Sequence, residues 1–161
     1  MGRVRVIVAL SLLSACKDPT RVERAEALGP DTGPYEEGPN QTAGIPSTWC
    51  HSAGSTAESH FDIAGTVFAR ASTRQALPDV RVRLFDQDGD EVSVRTNVAG
   101  NFFLREGELA PVDFPIWIQL EHQGEVTAMQ TPIFRERSCA GCHRAPPSPQ
   151  SPGHIYVWEA E

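Results

Sequence analysis

The sequence predicts an all-β protein: a seven-stranded, two-sheet sandwich preceded by an export signal and a disordered linker. Three observations predict it. Val80, Val82 and Leu84 alternate with Arg81 and Arg83, and Val92 and Val94 with Ser93 and Arg95, so each run can bury one side and wet the other. Turn-forming residues separate such runs, as in Asp86-Gln87-Asp88-Gly89-Asp90, Asn97-Val98-Ala99-Gly100 and His122-Gln123-Gly124. Finally, 13 Gly and 13 Pro are spread unevenly, which favours turns and linkers over long helices.

The elements follow in chain order. A first strand is expected over 62–71, with Ile63, Gly65, Val67 and Ala69 on one face. The runs 80–84 and 92–94 form a hairpin across the acidic turn, and 101–104, beginning Asn101-Phe102-Phe103, starts the next strand. Residues 114–120 read as a fully apolar central strand carrying Ile116 and Ile118, with Trp117 on its other side. It turns into 125–130 as a late hairpin, which Pro132 ends, and 155–158 closes the domain.

Residues 61–104 resemble the carboxypeptidase regulatory-like domain, a small transthyretin-like sandwich. The likeness rests on Gly65 and Val67, on Leu77-Pro78-Asp79-Val80, on Val82 and Leu84, on Asp86 with Gly89, and on Thr96-Asn97 and Gly100-Asn101-Phe102. With the later strands it covers about half the chain. The resemblance implies a non-catalytic module of transthyretin/Ig-like architecture used for binding, assembly or surface display.

A length of 161 residues suits one modest domain, placed over 48–161. The net charge of −7 argues against a nucleic-acid surface, which needs clustered Lys and Arg. No run of roughly 20 apolar residues is present to span a membrane as a helix.

Residues 1–15 read as a signal peptide: Arg3 and Arg5 give a basic start, Val6 begins an apolar run that ends at Leu13, and Ser14-Ala15 supply small residues for cleavage. Leu13-Ser14-Ala15-Cys16 resembles the lipobox of bacterial lipoproteins, which implies that the Cys16 thiol receives a diacylglycerol and becomes the new amino terminus. Such a protein is held on the cell-envelope membrane by its acyl chains, each buried methylene contributing about 0.8 kcal/mol. The other reading is an ordinary signal peptide whose Cys16 stays free or pairs with another thiol. Residues 16–47, rich in Pro, Gly, Glu and Thr, read as a disordered tether in which Glu36-Glu37 is a solvated face. Within it 21–28 is marked for a marginal turn or two of helix with nothing to pair against.

The one chemical signature is Cys139-Ala140-Gly141-Cys142-His143, which resembles the attachment motif of c-type cytochromes. Two thiols three residues apart can reach both vinyl groups of one porphyrin, so Cys139 and Cys142 would make the thioethers of haem c and His143 would be the axial iron ligand. Met129, His122, His51, His60 and His154 are candidates for the sixth ligand. Two competing readings use Cys50. It can pair with Cys139 or Cys142 as a disulfide staple, or Cys50-His51 can join Cys139, Cys142 and His143 around zinc.

Asp86-x-Asp88-Gly89-Asp90 invites a calcium reading, but its glycine is misplaced for a helix-loop-helix site and Asn97 stands where a bidentate glutamate belongs. A hairpin turn with solvated acids accounts for it better. Glu106 and Glu108 show no partner for acid–base work, and neither a nucleophile elbow nor a phosphate-cradling glycine loop is present, so no enzyme is expected. The expectation is an envelope lipoprotein, with the membrane and a redox or other envelope protein as partners. It either carries haem c for electron transfer or, disulfide-stapled and without haem, binds a protein, peptide or glycan.

Overall fold

In the computed structural model, residues 18–30, 33–36 and 38–158 are described; the signal peptide, Cys16, Lys17 and Glu37 lie outside them. Among the described residues the chain is mostly strand, in two sheets, with few and short helices. β1 (Phe61–Phe68) lies between β4 (Asn101–Arg105), which runs antiparallel to it, and β7 (Ile155–Tyr156), which runs parallel. The second sheet is antiparallel throughout, in the order β3 (Glu91–Arg95), β2 (Arg81–Phe85), β5 (Trp117–His122), β6 (Glu125–Ala128).

The alternation in 80–84 does what a half-buried strand requires. Val82 and Leu84 are wholly buried, while Arg81 and Arg83 point outward. There Arg83 grips Glu91 on β3 with two nitrogens and reaches Gln119 and Glu121 on β5, so three strands are tied across their wet face. Below that face one apolar cluster joins both sheets: Ile63, Val67, Phe102 and Leu104 meet Val82, Leu84, Ile118 and Leu120.

Two strands differ from their expected bounds. The run 114–120 begins pairing only at Trp117, because Pro115 has no N–H to give a ladder and Ile116 makes an isolated bridge with Ile133 instead. The strand expected over 155–158 is two residues long, paired with Val67 and Phe68.

The stretch read as a tether also carries structure. Asp18 caps α1 (Pro19–Glu26) by accepting from the Thr20 amide at 3.0 Å, and α1 packs on α2 (Ser47–Cys50), so the helix does find a partner. Residues 38–46 lie over the outer side of β1 and β4, where the Asn101 amide donates to the Gln41 carbonyl at 2.8 Å and Gly44 N–H donates to Thr66 at 2.8 Å. Such contacts come from side-chain amides and hydroxyls, which leave no hydrophobic period in the sequence.

β4 is an edge strand, and its edge is blunted. The amides of Asn101 and Arg105 are taken by the Asn97 and Glu108 side chains at 3.0 and 2.6 Å, which removes donors that another strand would need.

Candidate functional site

The Cys139–His143 corner is built onto the edge of β1 that faces away from β4, ahead of the two residues that pair with β7. Ser138 forms a parallel bridge with Ala64, whose amide donates to the Arg137 carbonyl at 3.0 Å. Cys139, Ala140 and Gly141 then wind one 3-10 turn, with the Cys142 and His143 amides both donating to the Cys139 carbonyl at 3.2 and 2.9 Å. This turn sends the two cysteines to different environments. Cys139 is 7% exposed and belongs to the hydrophobic core, whereas Cys142 is exposed.

Gly65 is what lets Cys139 in. A Cβ placed at Gly65 would come within 2.8 Å of the Phe102 ring and 2.9 Å of the Cys139 Cβ, so only the missing side chain allows both to pack against β1. Burial, with the Glu136 carboxylate and Cys142 adding to it, pushes the Cys139 thiol up to about 12. It is therefore a core apolar group rather than a nucleophile. Ser138 beside it is fully buried, and its hydroxyl has no hydrogen-bond partner among the described residues.

His143 is half-buried, with Nδ1 3.1 Å from the Gly153 carbonyl. Burial of the ring holds its pKa below the usual histidine value, the carbonyl partly opposing. The loop beyond it is closed by Ser151, whose hydroxyl accepts from the Arg144 amide and donates to the Arg144 carbonyl, each at 2.7 Å.

A porphyrin held by two thioethers needs both thiols open on one side of the loop. Cys142 meets that need; Cys139, packed among Gly65 and Phe102, does not, so the corner as folded does not fit covalent haem. The residues named as sixth ligands are engaged elsewhere. His154 stacks on Phe68 at 4.0 Å and bonds the Thr73 carbonyl at 2.8 Å, His60 faces Glu106 at 3.3 Å, His122 meets the edge of Trp158 at 5.6 Å, and Met129 packs on the core.

Cys50 and His51 sit on the outer side of the three-stranded sheet, opposite the face that holds Cys139. His51 stacks on Phe61 at 4.2 Å, Phe61 stacks on Phe103 at 4.5 Å, and His51 Nδ1 lies 2.9 Å from the Ser59 carbonyl. Phe103 alternates with the inward Phe102 and Leu104, which fixes the side. The sheet thus separates Cys50 and His51 from Cys139, so neither a Cys50–Cys139 staple nor a zinc set that needs all three is assembled. Cys50, Cys139 and Cys142 are free thiols here, and among the described residues no three His, Cys, Asp or Glu side chains gather in a metal-binding arrangement.

The Asp86 turn is accounted for without a cation. One Asp86 oxygen accepts from the Asp88 and Asp90 amides at 2.9 and 3.1 Å, the other from Asp113 at 3.1 Å. The Asp113 amide, with the turn amides, holds this carboxyl below its usual range against the opposing effect of burial.

Two concave surfaces were not foreseen. One, of about 600 Å³, lies over the outer sheet face between Gln41, Cys50, Glu58, Asn101, Phe103 and Arg105. The other, of about 380 Å³, brings Arg21 and Arg24 of α1 beside Trp49, Arg135 and Arg137. Neither left a signal in the sequence, because each unites residues more than 50 positions apart that only the packing of the 18–51 segment brings together. Compared with known proteins, the chain matches no protein-family model, no curated protein and no solved structure.

Proposed function

We propose that this chain is a cell-envelope lipoprotein, anchored through acylated Cys16, that presents a non-catalytic transthyretin-like sandwich of the carboxypeptidase regulatory-like kind as a binding module, without haem. The observation that carries the reading is the core position of Cys139: the first thiol of the Cys-x-x-Cys-His corner packs into the β body instead of opening to a porphyrin. The ligand surface is then the groove on the outer sheet face, where the His51–Phe61–Phe103 stack and the Arg105 guanidinium, 6.0 Å from the Phe103 ring centre, offer apolar and charged contacts to a peptide or glycan of an envelope partner.

The test is expression with an export and haem-attachment system while labelling with palmitate. Wild-type protein is expected to take the label and remain colourless, and Cys16→Ser to lose the label. A mass gain of one porphyrin that disappears in Cys142→Ser would overturn the haem-free reading; an unlabelled wild-type protein would overturn the anchor.

A further inference from the structure

The chain as a whole is acidic, at −7, yet four of its 14 basic residues line one cavity. Arg21 and Arg24 come from α1, Arg135 and Arg137 from the loop that leads into the Cys139 turn. Arg21 bonds the Ser52 hydroxyl at 2.7 Å and faces Asp18 at 3.4 Å; Arg137 bonds the Asp62 carbonyl at 3.0 Å and its carboxylate at 3.2 Å. Arg24 and Arg135 are exposed and have no carboxylate partner among the described residues. Asp18 and Glu136 also border the cavity, and Glu136 is engaged by the Ser138 amide at 2.8 Å, so positive charge remains in excess.

Two further features define what such a pocket faces. Phe134, adjacent to Arg135 in sequence, is 71% exposed, and Trp49 lines the cavity half-buried. Asp18, at the cavity rim, is two residues from Cys16. Guanidinium groups that fork onto phosphate oxygens, accompanied by an exposed aromatic ring, are the chemistry of a surface lying on anionic lipid.

We infer that the Arg21, Arg24, Arg135 and Arg137 cavity, with Phe134, is a membrane-facing site for the phosphate headgroup of an anionic phospholipid. It rests on the reading of Cys16 as the anchor, and it gives that anchor a consequence. The acyl chains bring this face to the bilayer, the arginines hold it there, and the groove beside His51 and Phe103 is set at a fixed attitude to the membrane.

The experiment uses the chain from residue 16 onward carrying Cys16→Ser, so that neither the apolar leader with Arg3 and Arg5 nor an acyl chain contributes. Co-sedimentation is measured with phosphatidylcholine vesicles with and without phosphatidylglycerol. Binding is expected only to the anionic vesicles and to weaken as salt rises. Arg24→Ala and Arg135→Ala are each expected to lower partitioning about fivefold at unchanged thermal midpoint, since each arginine near such a surface contributes on the order of 1 kcal/mol. Phe134→Ser is expected to lower it too, while Arg74→Ala, outside the cavity, is expected to leave it unchanged. Equal binding to both vesicles, or binding indifferent to Arg24 and Arg135, overturns the site. So does a thermal shift with inorganic phosphate, dependent on both arginines, in the absence of vesicle binding, which would make the cavity a free-anion site. Because acylation is tested by the palmitate label and this site is tested without it, the two readings fail separately.

Discussion

Gly65, Cys139 and Phe102 form a three-way contact in which each side chain, or its absence, sets the room for the others. Gly65→Ala is expected to cost about 1–3 kcal/mol by overpacking, read as a lower urea midpoint at unchanged slope. The same contact separates the thiols kinetically. Cys142 is expected to react with an exposed-thiol reagent at the rate of a free cysteine near neutral pH, whereas Cys139 reacts only as fast as the domain opens, since it is both covered and held protonated. Mass mapping after a short pulse checks this; equal labelling of both thiols would mean that Cys139 is not in the core. His143 adds a pH term of known sign. Its folded pKa lies below the unfolded value, so its neutral form is fully compatible with the fold above about pH 6.5, and stability falls as pH drops below that value.

Among the elements, the β2–β3 hairpin shows how a turn rich in acids is held without a metal. Three backbone amides converge on Asp86, one of them from the distant Asp113, so the carboxylate fastens the 113 region to the hairpin as well as closing the turn. Its pKa is depressed in the folded state, so the stability it contributes is present above the unfolded carboxylate value near about 4 and is lost as pH falls through the folded value. Asp86→Asn is expected to lower the thermal midpoint at neutral pH and to flatten the decline on acidification. Midpoints measured from pH 7 to pH 2, roughly the window of carboxylate titration, check both. The wet face of the same sheet relies on Arg83, whose bonds to Glu91 and Glu121 raise its pKa further and hold Glu91 below its usual range. These pairs are solvent-exposed, so they set strand register more than they set stability.

For the molecule as a whole, one apolar cluster of the described residues joins the two sheets, and they are expected to unfold as one cooperative unit. Phe102, 2% exposed, contributes the largest of the fully buried side chains, and Phe102→Ala is expected to cost about 3–5 kcal/mol. The far-ultraviolet sheet signal and, with Trp49 and Trp158 replaced by Phe, the fluorescence of Trp117 in the other sheet should then shift to the same lower denaturant midpoint. Separate transitions would show that the sheets unfold independently.

What the sequence by itself determined is the pattern within strands. Alternation at 80–84 and 92–94 dictates which side is buried, and the Asp86, Asn97 and Gln123-Gly124 turns dictate where the chain reverses, because both depend on residues adjacent in sequence. The Cys-x-x-Cys-His spacing announced the corner in the same way. Whether those thiols point to solvent or to the core was decided by Gly65, more than 70 positions earlier, and by the parallel bridge that brings Ser138 to Ala64. Likewise, Cys50 and Cys139 look like partners in a linear reading, yet the three-stranded sheet stands between them. The arginine cavity was invisible for the same physical reason: exposed charges obey no period, and only the packing of α1 against α2, beside the 135–137 loop, makes four scattered side chains into one surface.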